Sequence, residues 1–238
     1  MKIKATLSND LSTFNPRDVR NFIGSIADEK DKDFVMHHGQ GLSPVIYANP
    51  YRNKFEIIFA KSDDRSLCIM NDLANKLKSG IRFYGDKINN VEASYDDYMS
   101  LGEDKKEIVF YKSKTPFVLA VNDTEYKILF NVSKNKDKSD FIKFLKRRIK
   151  ESILFQAKEF LNGNFSLDLL KKIEIYFQND DKHFLFKNIK YKDRILPVMY
   201  LSFITNYRLP EFLGYKIGLG FGQFACIGQG CEDFQVLK

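Results

Sequence analysis

The sequence has few of the residues on which disulfide-rich proteins and metal sites depend. It contains only three cysteines among 238 residues: Cys68, Cys226 and Cys231. An odd number without the pattern of a small scaffold argues against a disulfide framework. Cys226 and Cys231 could share a metal ion, but no second pair and no nearby histidine completes a site. We therefore expect buried free thiols in a reducing compartment, no metal and no cofactor.

Long apolar runs are missing too. No stretch reaches the roughly 18 residues that a membrane span needs, and the N-terminal MKIKATLS lacks the apolar core of a signal peptide. We expect a cytoplasmic protein without a membrane partner. The hydrophobic fraction of 44%, with 22 Phe and 12 Tyr, is nevertheless ample for a packed core. The length suits one large domain or two small ones.

The charge balance is basic, with a formal charge of +7 and a pI of about 9.1. Such a balance favours polyanionic partners, with nucleic acid first and an anionic membrane surface second. A Lys-rich protein without either partner would have the same composition, so charge alone does not choose between them.

Hydrophobic periodicity predicts an α+β protein. Helices are expected from Pro16, with Asn15 as N-cap, over Asp64–Leu77, and from Ser139 or Asp140 to Gly163. Strands are expected over Lys2–Leu7, Phe34–His37, Val45–Ala48, Phe55–Phe59, parts of 81–98, Ile108–Tyr111, Phe117–Val121, Tyr126–Phe130, Ile173–Phe177, Phe184–Ile189, Leu196–Thr205 and Asp233–Leu237. This order predicts two tandem ferredoxin-like (RRM-like) domains, residues 1–105 and 106–238.

The long helix after residue 138 has two contrasting faces. Its core stripe runs from Phe141 to Phe160. The other face is basic and carries Lys143, Lys146, Arg147, Arg148 and Lys150. This face is a candidate for binding RNA, although an ordinary solvated helix face looks the same.

A Gly-rich segment from Gly214 to Gly230 holds six of the 13 glycines in 17 positions. Glycine lets a ligand approach backbone N–H groups, and successive amides can form an anion nest. A dinucleotide fold lacks the required spacing and room after Gly222, and a P-loop lacks its Gly-Lys-Ser/Thr. A tight hairpin and a loop along an RNA backbone remain.

Two of the three histidines, His37 and His38, are adjacent, and His183 is isolated. Cleavage of RNA needs a base for the ribose 2′-OH and an acid for the departing 5′-oxygen. Imidazole suits both tasks because its pKa lies near 6.5. On a strand the two side chains would point to opposite faces. A pair of surface histidines without a role is the alternative.

The C-terminal segment LPEFLGYKIGLGFGQFACIG, starting at Leu209, resembles the glycine-rich signature of the RAMP superfamily. Within that superfamily it is most similar to the Cas6-type endoribonucleases that process CRISPR repeat RNA. DVRNFIGSI from Asp18, FVMHHGQ from Phe34 and VIYANP from Val45 resemble a branch with an early His-x-His and a following Tyr- and Pro-containing strand. This chain has His-His-Gly-Gln at that place.

The resemblance implies a metal-independent endoribonuclease that binds and cleaves CRISPR repeat RNA, leaving a 2′,3′-cyclic phosphate. His38 or His37 is the expected acid or base, and Tyr47 assists. The expected RNA contacts are Arg52, Lys54, Lys143, Arg147, Lys216, Gly218, Gly220 and Gly222. Other CRISPR-complex subunits and a second copy of the chain are further partners left open.

Two other functions fit the same residues. A non-catalytic RAMP-type subunit, or an enzyme that has lost activity, would bind the RNA without cutting it. An unrelated basic domain would show only salt-sensitive, nonspecific RNA binding.

Overall fold

The computed structural model describes residues 1–37, 42–96, 98, 108–134, 138–161, 167–177, 187–191 and 194–230. The chain divides into two compact units. The first comprises Met1–Met99 and Ile217–Gly220, and the second comprises Ser100–Lys216 and Phe221–Lys238. The boundary predicted between residues 105 and 106 falls outside the described residues, so it stays a prediction.

The first unit is built on one antiparallel sheet. Its elements are β1 Lys2–Leu7, α1 Pro16–Ile26, α2 Lys32–Met36, β2 Val45–Tyr47, β3 Lys54–Phe59, α3 Asp64–Lys78, β4 Arg82–Phe83 and β5 Asp86–Ser94. The strand order is β2-β3-β1-β5-β4. With α1 and α3, the first four of these strands form a ferredoxin-like βαββαβ unit. Helix α2 is inserted between α1 and β2, next to the edge strand.

The start of α1 shows why this sequence forms a helix there. The Asn15 side chain accepts from backbone N–H groups of the first turn, the Asp18 carboxylate accepts from the Asn15 N–H, and Pro16 occupies the first turn. This is a capping box, and it confirms the predicted N-cap at Asn15 and helix start at Pro16. The helix then buries Val19, Phe22 and Ile23 in the core of the unit.

The second unit contains two antiparallel sheets. Its elements are β6 Ile108–Ser113, β7 Phe117–Val118, α4 Asp123–Lys134, α5 Ser139–Phe160, α6 Leu167–Lys172, β8 Ile175–Tyr176, β9 Lys187–Tyr191, β10 Arg194–Met199, β11 Ser202–Thr205 and β12 Phe224–Gly230. One sheet has the order β12-β6-β11-β8 and the other β7-β10-β9. The four-stranded sheet has the ferredoxin-like order, and the chain between β11 and β12 stands where the second helix of that fold would lie.

Two predicted strands are wrong because they are helices. Phe34–His37 was expected as a strand, but Lys32–Met36 is helical and His37 caps it. Three apolar residues in a row cannot distinguish the two structures. Tyr126–Phe130 lies within α4. Asn122 and Glu125 carry the overlooked signal, because the Asn122 side chain accepts from the Glu125 N–H at 2.9 Å.

Other differences concern boundaries and exposure. The single strand expected over Leu196–Thr205 is two strands, β10 and β11, in different sheets. Cys68 and Cys226 are both exposed, so the expected burial is wrong for both. Cys68 lies on α3, which turns Ile69 and Met70 inward instead. Gly163, Cys231 and Asp233–Leu237 lie outside the described residues. Across the described ranges, no helix is long and apolar enough to cross a membrane.

Candidate functional site

His37 lies at the end of α2 in a left-handed conformation, with φ 33°. This region is costly for a residue with a Cβ atom, and such outliers cluster at functional sites. The His37 N–H donates to the Asp33 carbonyl at 2.9 Å, and its carbonyl accepts from Arg20 Nη2 at 3.2 Å. Its Nε2 is buried and has no hydrogen-bond partner among the described residues. His38 lies outside the described residues.

Tyr47 is the last residue of β2 and is 1% exposed. Its hydroxyl donates to the Val35 carbonyl at 2.8 Å. Burial raises the pKa of the Tyr47 hydroxyl, and the Arg20 guanidinium acts in the opposite direction. The hydroxyl is thus protonated at neutral pH and holds the last turn of α2, two residues before His37. This geometry favours a role in positioning α2 over direct contact with RNA.

Arg20, which sequence reasoning missed, joins these residues. It lies half-buried on α1, and its one described hydrogen bond is the one to the His37 carbonyl. No carboxylate among the described residues pairs with it. Its sequence context, Asp18-Val-Arg-Asn, resembles that of any surface arginine on an amphipathic helix, so only the fold reveals its environment.

Arg52 and Lys54 lie in and after the turn that joins β2 to β3, and both are exposed. Arg52 has φ 53°, and its guanidinium lies 5.3 Å from the centre of the exposed Tyr51 ring. Cation and aromatic side chains together suit stacking on RNA bases and contact with phosphates. No hydrogen bond among the described residues joins this turn to His37. The turn is a basic, aromatic surface within the first unit.

The predicted glycines pack closely against protein atoms. A Cβ on Gly218 would lie 2.8 Å from Ser43 Cβ, and one on Gly220 would lie 2.5 Å from Pro16 Cγ and 3.0 Å from the Tyr47 carbonyl. The Gly220 N–H donates to Ile217 at 2.9 Å. In this conformation the glycines let the segment Ile217–Gly220 lie on α1 and β2 of the first unit.

The rest of the Gly-rich segment belongs to the second unit. The Gly222 N–H donates to the Pro116 carbonyl at 2.9 Å, and a Cβ on Gly222 would lie 1.8 Å from the Leu213 carbonyl oxygen. The N–H groups of Gly220 and Gly222 are thus used within the protein and do not complete an anion nest here. Lys216 is exposed, with φ 61°.

On α5, Lys143 and Arg147 are exposed as predicted. Lys143 pairs with Asp140 at 3.4 Å and Arg147 with Glu151 at 3.6 Å. Exposed pairs of this kind are worth about 0–1 kcal/mol, so an incoming phosphate can displace either carboxylate at little cost.

Arg148 was expected on the same exposed face, but this expectation is wrong, because Arg148 is 7% exposed. Its Nη1 lies 3.2 Å from Glu125 and 2.9 Å from Glu151, and it donates to the Tyr215 hydroxyl at 2.7 Å. The Tyr215 hydroxyl donates to Glu125 at 2.6 Å. Burial and this bond raise the pKa of Tyr215 to about 12. The cluster ties the start of the Gly-rich segment to α4 and α5.

In the part of the chain that the structure describes, no group of three or more His, Cys, Asp or Glu residues is placed to hold a metal ion.

No family model and no curated protein match the sequence. Solved structures do match over nearly the whole chain. A crystal structure of Cas6b aligns with a TM-score of 0.67 at 18% identity, covering 95% of this chain and 100% of that one.

The chain has the Cas6 fold. A second solved structure, a CRISPR RNA processing endoribonuclease Cas6b, aligns with a TM-score of 0.59 at 19% identity, over 95% of this chain and 98% of that one. A RAMP protein that binds different RNA substrates aligns with a TM-score of 0.56 at 13% identity, over 96% and 100%. The Cas6 fold confirms the predicted α+β class with two ferredoxin-like domains and the predicted likeness to Cas6-type RAMP proteins.

Proposed function

We propose that this protein is an endoribonuclease that binds CRISPR repeat RNA and cleaves it without a metal ion to make guide RNAs. The observation that carries the proposal is His37, held in a left-handed conformation with a buried, unpartnered Nε2 beside a cation that has no described carboxylate partner. The Cas6 fold supports it, because the solved neighbours of that fold include a named CRISPR RNA processing endoribonuclease.

The proposed reaction is an internal transfer at phosphorus. A base removes the proton of a ribose 2′-OH, and the 2′-oxygen then attacks the adjacent phosphorus. The bond from phosphorus to the 5′-oxygen breaks, and an acid protonates that oxygen. The products are a 2′,3′-cyclic phosphate and a 5′-hydroxyl. His37 and His38 are the proposed acid and base, because an imidazole can both accept and donate a proton.

The proposed RNA contacts are distributed over both units. Arg52 and Lys54 offer charge and an aromatic neighbour at the β2–β3 turn, and Lys143 and Arg147 offer charge on α5. Lys216 is the proposed phosphate contact of the Gly-rich segment, and the close packing of Gly218, Gly220 and Gly222 holds that segment in place. Basic side chains that neutralise phosphates make binding weaker as salt rises.

The test is cleavage of a synthetic repeat RNA in excess EDTA, with product ends identified by mass spectrometry. We expect one cut with a cyclic phosphate, and no cut when the ribose at that position is 2′-deoxy. The His37→Ala, His38→Ala double variant should lose cleavage, while His183→Ala serves as a matched control for loss of an imidazole. Unchanged cutting by the double variant would reject these residues as the site.

A second function has its own support. This chain has His-His-Gly-Gln where the related branch has His-x-His, so that Gly39 or Gln40 would fill the position of the second histidine. In addition, the Tyr47 hydroxyl already donates to the Val35 carbonyl. Both features fit a relative that holds the RNA without cutting it. Tight repeat binding with no product over hours would favour that function.

A further inference from the structure

Helix α4 exposes more large apolar side chains than it buries. Leu129 is the one buried residue of its 12, whereas α5 buries ten of its 22 residues. Tyr126 is 42% exposed, Ile128 is 38% exposed and Phe130 is 47% exposed. A helix in a folded protein is stabilised mainly by burying an apolar face, so the exposed rings of α4 indicate a surface that binds something else.

The exposed apolar side chains of α4 do not form one continuous stripe. Successive residues of a helix lie about 100° apart, so Tyr126 and Phe130 share one side, while Ile128, two residues from each, lies on another. A protein groove or a membrane surface requires an apolar stripe along one side of a helix. Two rings one turn apart instead offer separate flat surfaces, on which the bases of single-stranded nucleic acid stack.

The charges beside the two rings suit an anionic ligand. The Lys134 ammonium lies 4.1 Å from the centre of the Phe130 ring, and Lys127 is exposed next to Tyr126. Among the described residues, neither lysine forms an ion pair, and the two outnumber Asp123, the one exposed carboxylate of the helix. A second copy of the chain, seated here by two-fold symmetry, would bring the same lysines together. RNA is therefore the better occupant.

We propose that Tyr126 and Phe130 stack on unpaired bases of the bound RNA, with Lys127 and Lys134 beside its phosphates. This site rests on the proposed function and extends it, because it adds α4 to the RNA contacts and specifies the kind of RNA that α4 binds. Every base has a ring face, so the site takes a single-stranded segment of any sequence. Bases in a duplex already stack on their neighbours, so a paired segment leaves the two rings without a partner.

The direct test uses the absence of tryptophan from the chain. The Phe130→Trp variant keeps an aromatic face and adds a single fluorophore. Its emission should be quenched by repeat RNA with 2′-O-methyl riboses, which cannot be cut, and much less by the same RNA annealed to its complement. Phe155→Trp is the matched control, because Phe155 is exposed on α5 in the same unit. Its emission should change little with either RNA.

Affinity for the same RNA measures how much the rings contribute. The Tyr126→Leu, Phe130→Leu double variant keeps apolar side chains that favour a helix but removes both ring faces. We expect it to bind the single-stranded RNA about 10- to 100-fold more weakly than wild type does, and the annealed duplex equally well. Ile128→Ala, on the other side of α4, should bind like wild type. Lys134→Gln should reduce the slope of log affinity against log salt concentration by about one.

The outcomes separate this site from the proposed function. If wild type binds no repeat RNA, the proposed function fails and the site fails with it. If wild type binds RNA but Phe130→Trp is not quenched, or the double variant keeps its affinity, only the site on α4 is overturned. RNA binding with quenching but without cleavage supports the site and rejects the nuclease alone.

Two further controls cover other occupants of this face and loss of the fold. A change in Phe130→Trp emission with protein concentration alone, or with anionic vesicles alone, would overturn the site in favour of a second copy or a membrane. Circular dichroism and urea unfolding compare the double variant with wild type. If the double variant does not fold, the quenching of Phe130→Trp decides by itself.

Discussion

Replacing Tyr47 by Phe removes one hydroxyl and nothing else, so it separates two roles for this residue. The ring stays in the core, where Tyr47 is 1% exposed. The change deletes the 2.8 Å bond to the carbonyl of the fully buried Val35. No water can replace the lost donor at that carbonyl without entering the core.

The magnitude follows from this loss. A buried hydrogen bond contributes about 0.5–1.5 kcal/mol, and an unsatisfied buried partner costs about 1–3 kcal/mol. We expect Tyr47→Phe to lower the free energy of unfolding by about 1–2 kcal/mol. Cleavage should fall by less than tenfold, because a hydroxyl that holds α2 affects His37 only through the backbone.

Urea unfolding and single-turnover cleavage of the same preparation test both statements. Tyr111→Phe is the matched control, because the Tyr111 hydroxyl is also buried and bonded to backbone, accepting from the Leu209 N–H at 2.8 Å. It should lose similar stability and cleave normally. A drop in cleavage of 100-fold or more in Tyr47→Phe, with normal stability, is the size expected for a lost general acid or base. That result would refute our assignment.

Three further predictions concern stability. Gly220→Ala should lower the free energy of unfolding by at least about 1–2 kcal/mol, because the φ of 79° disfavours a Cβ atom and that atom would also clash with Pro16. Gly85→Ala is the control without a clash, because Gly85 has a similar φ of 94° and open space around its Cβ position. Arg148→Ala should cost about 3 kcal/mol, since Glu125 loses its buried partner. The contribution of Tyr215 to stability should be constant below pH 10, the ordinary tyrosine pKa, and should fall toward pH 12, because folding raises the pKa of Tyr215 to about 12.

The measurements for these predictions are urea titrations, with those for Tyr215 repeated from pH 8 to pH 11. Gly220→Ala no less stable than Gly85→Ala would contradict the close approach to Pro16. A loss under 1 kcal/mol in Arg148→Ala would mean that Glu125 finds another partner or enough water. Above pH 10, the Tyr215→Phe variant should lose less of its unfolding free energy than wild type does. Equal losses in the two proteins would show that Tyr215 does not cause the decrease in stability at alkaline pH.

Local signals explain how much of the fold was predictable. The dipeptide Asn15-Pro16 is a local signal for the start of a helix, because it consists of neighbouring residues in the sequence. Helix α1 does begin there. The core stripe of α5 repeats over 22 residues, long enough for its period to be unambiguous. Helix α2 has five residues, too few for a period, so Phe34–His37 looked like a strand.

The candidate site was predictable only in part, because its environment is set by distant residues. The positions of His37 and the Gly-rich segment could be found from residue types and spacing. The half-burial of Arg20 and the burial of Arg148 depend on which helix faces meet, and both residues lie among other charged residues in the sequence. The spacing of the glycines in the sequence could not predict that the Gly220 and Gly222 N–H groups form hydrogen bonds within the protein.

The discontinuity of the first unit has a consequence for its synthesis. Ile217–Gly220 belongs to this unit and packs against β2, the edge strand of its sheet. A ribosome makes this segment more than a hundred residues after Met99. Until then the nascent first unit carries a strand edge without this cover, and such edges invite pairing with other chains. Final closure of the first unit is therefore a late event in translation, and truncation before residue 217 should yield an aggregation-prone fragment.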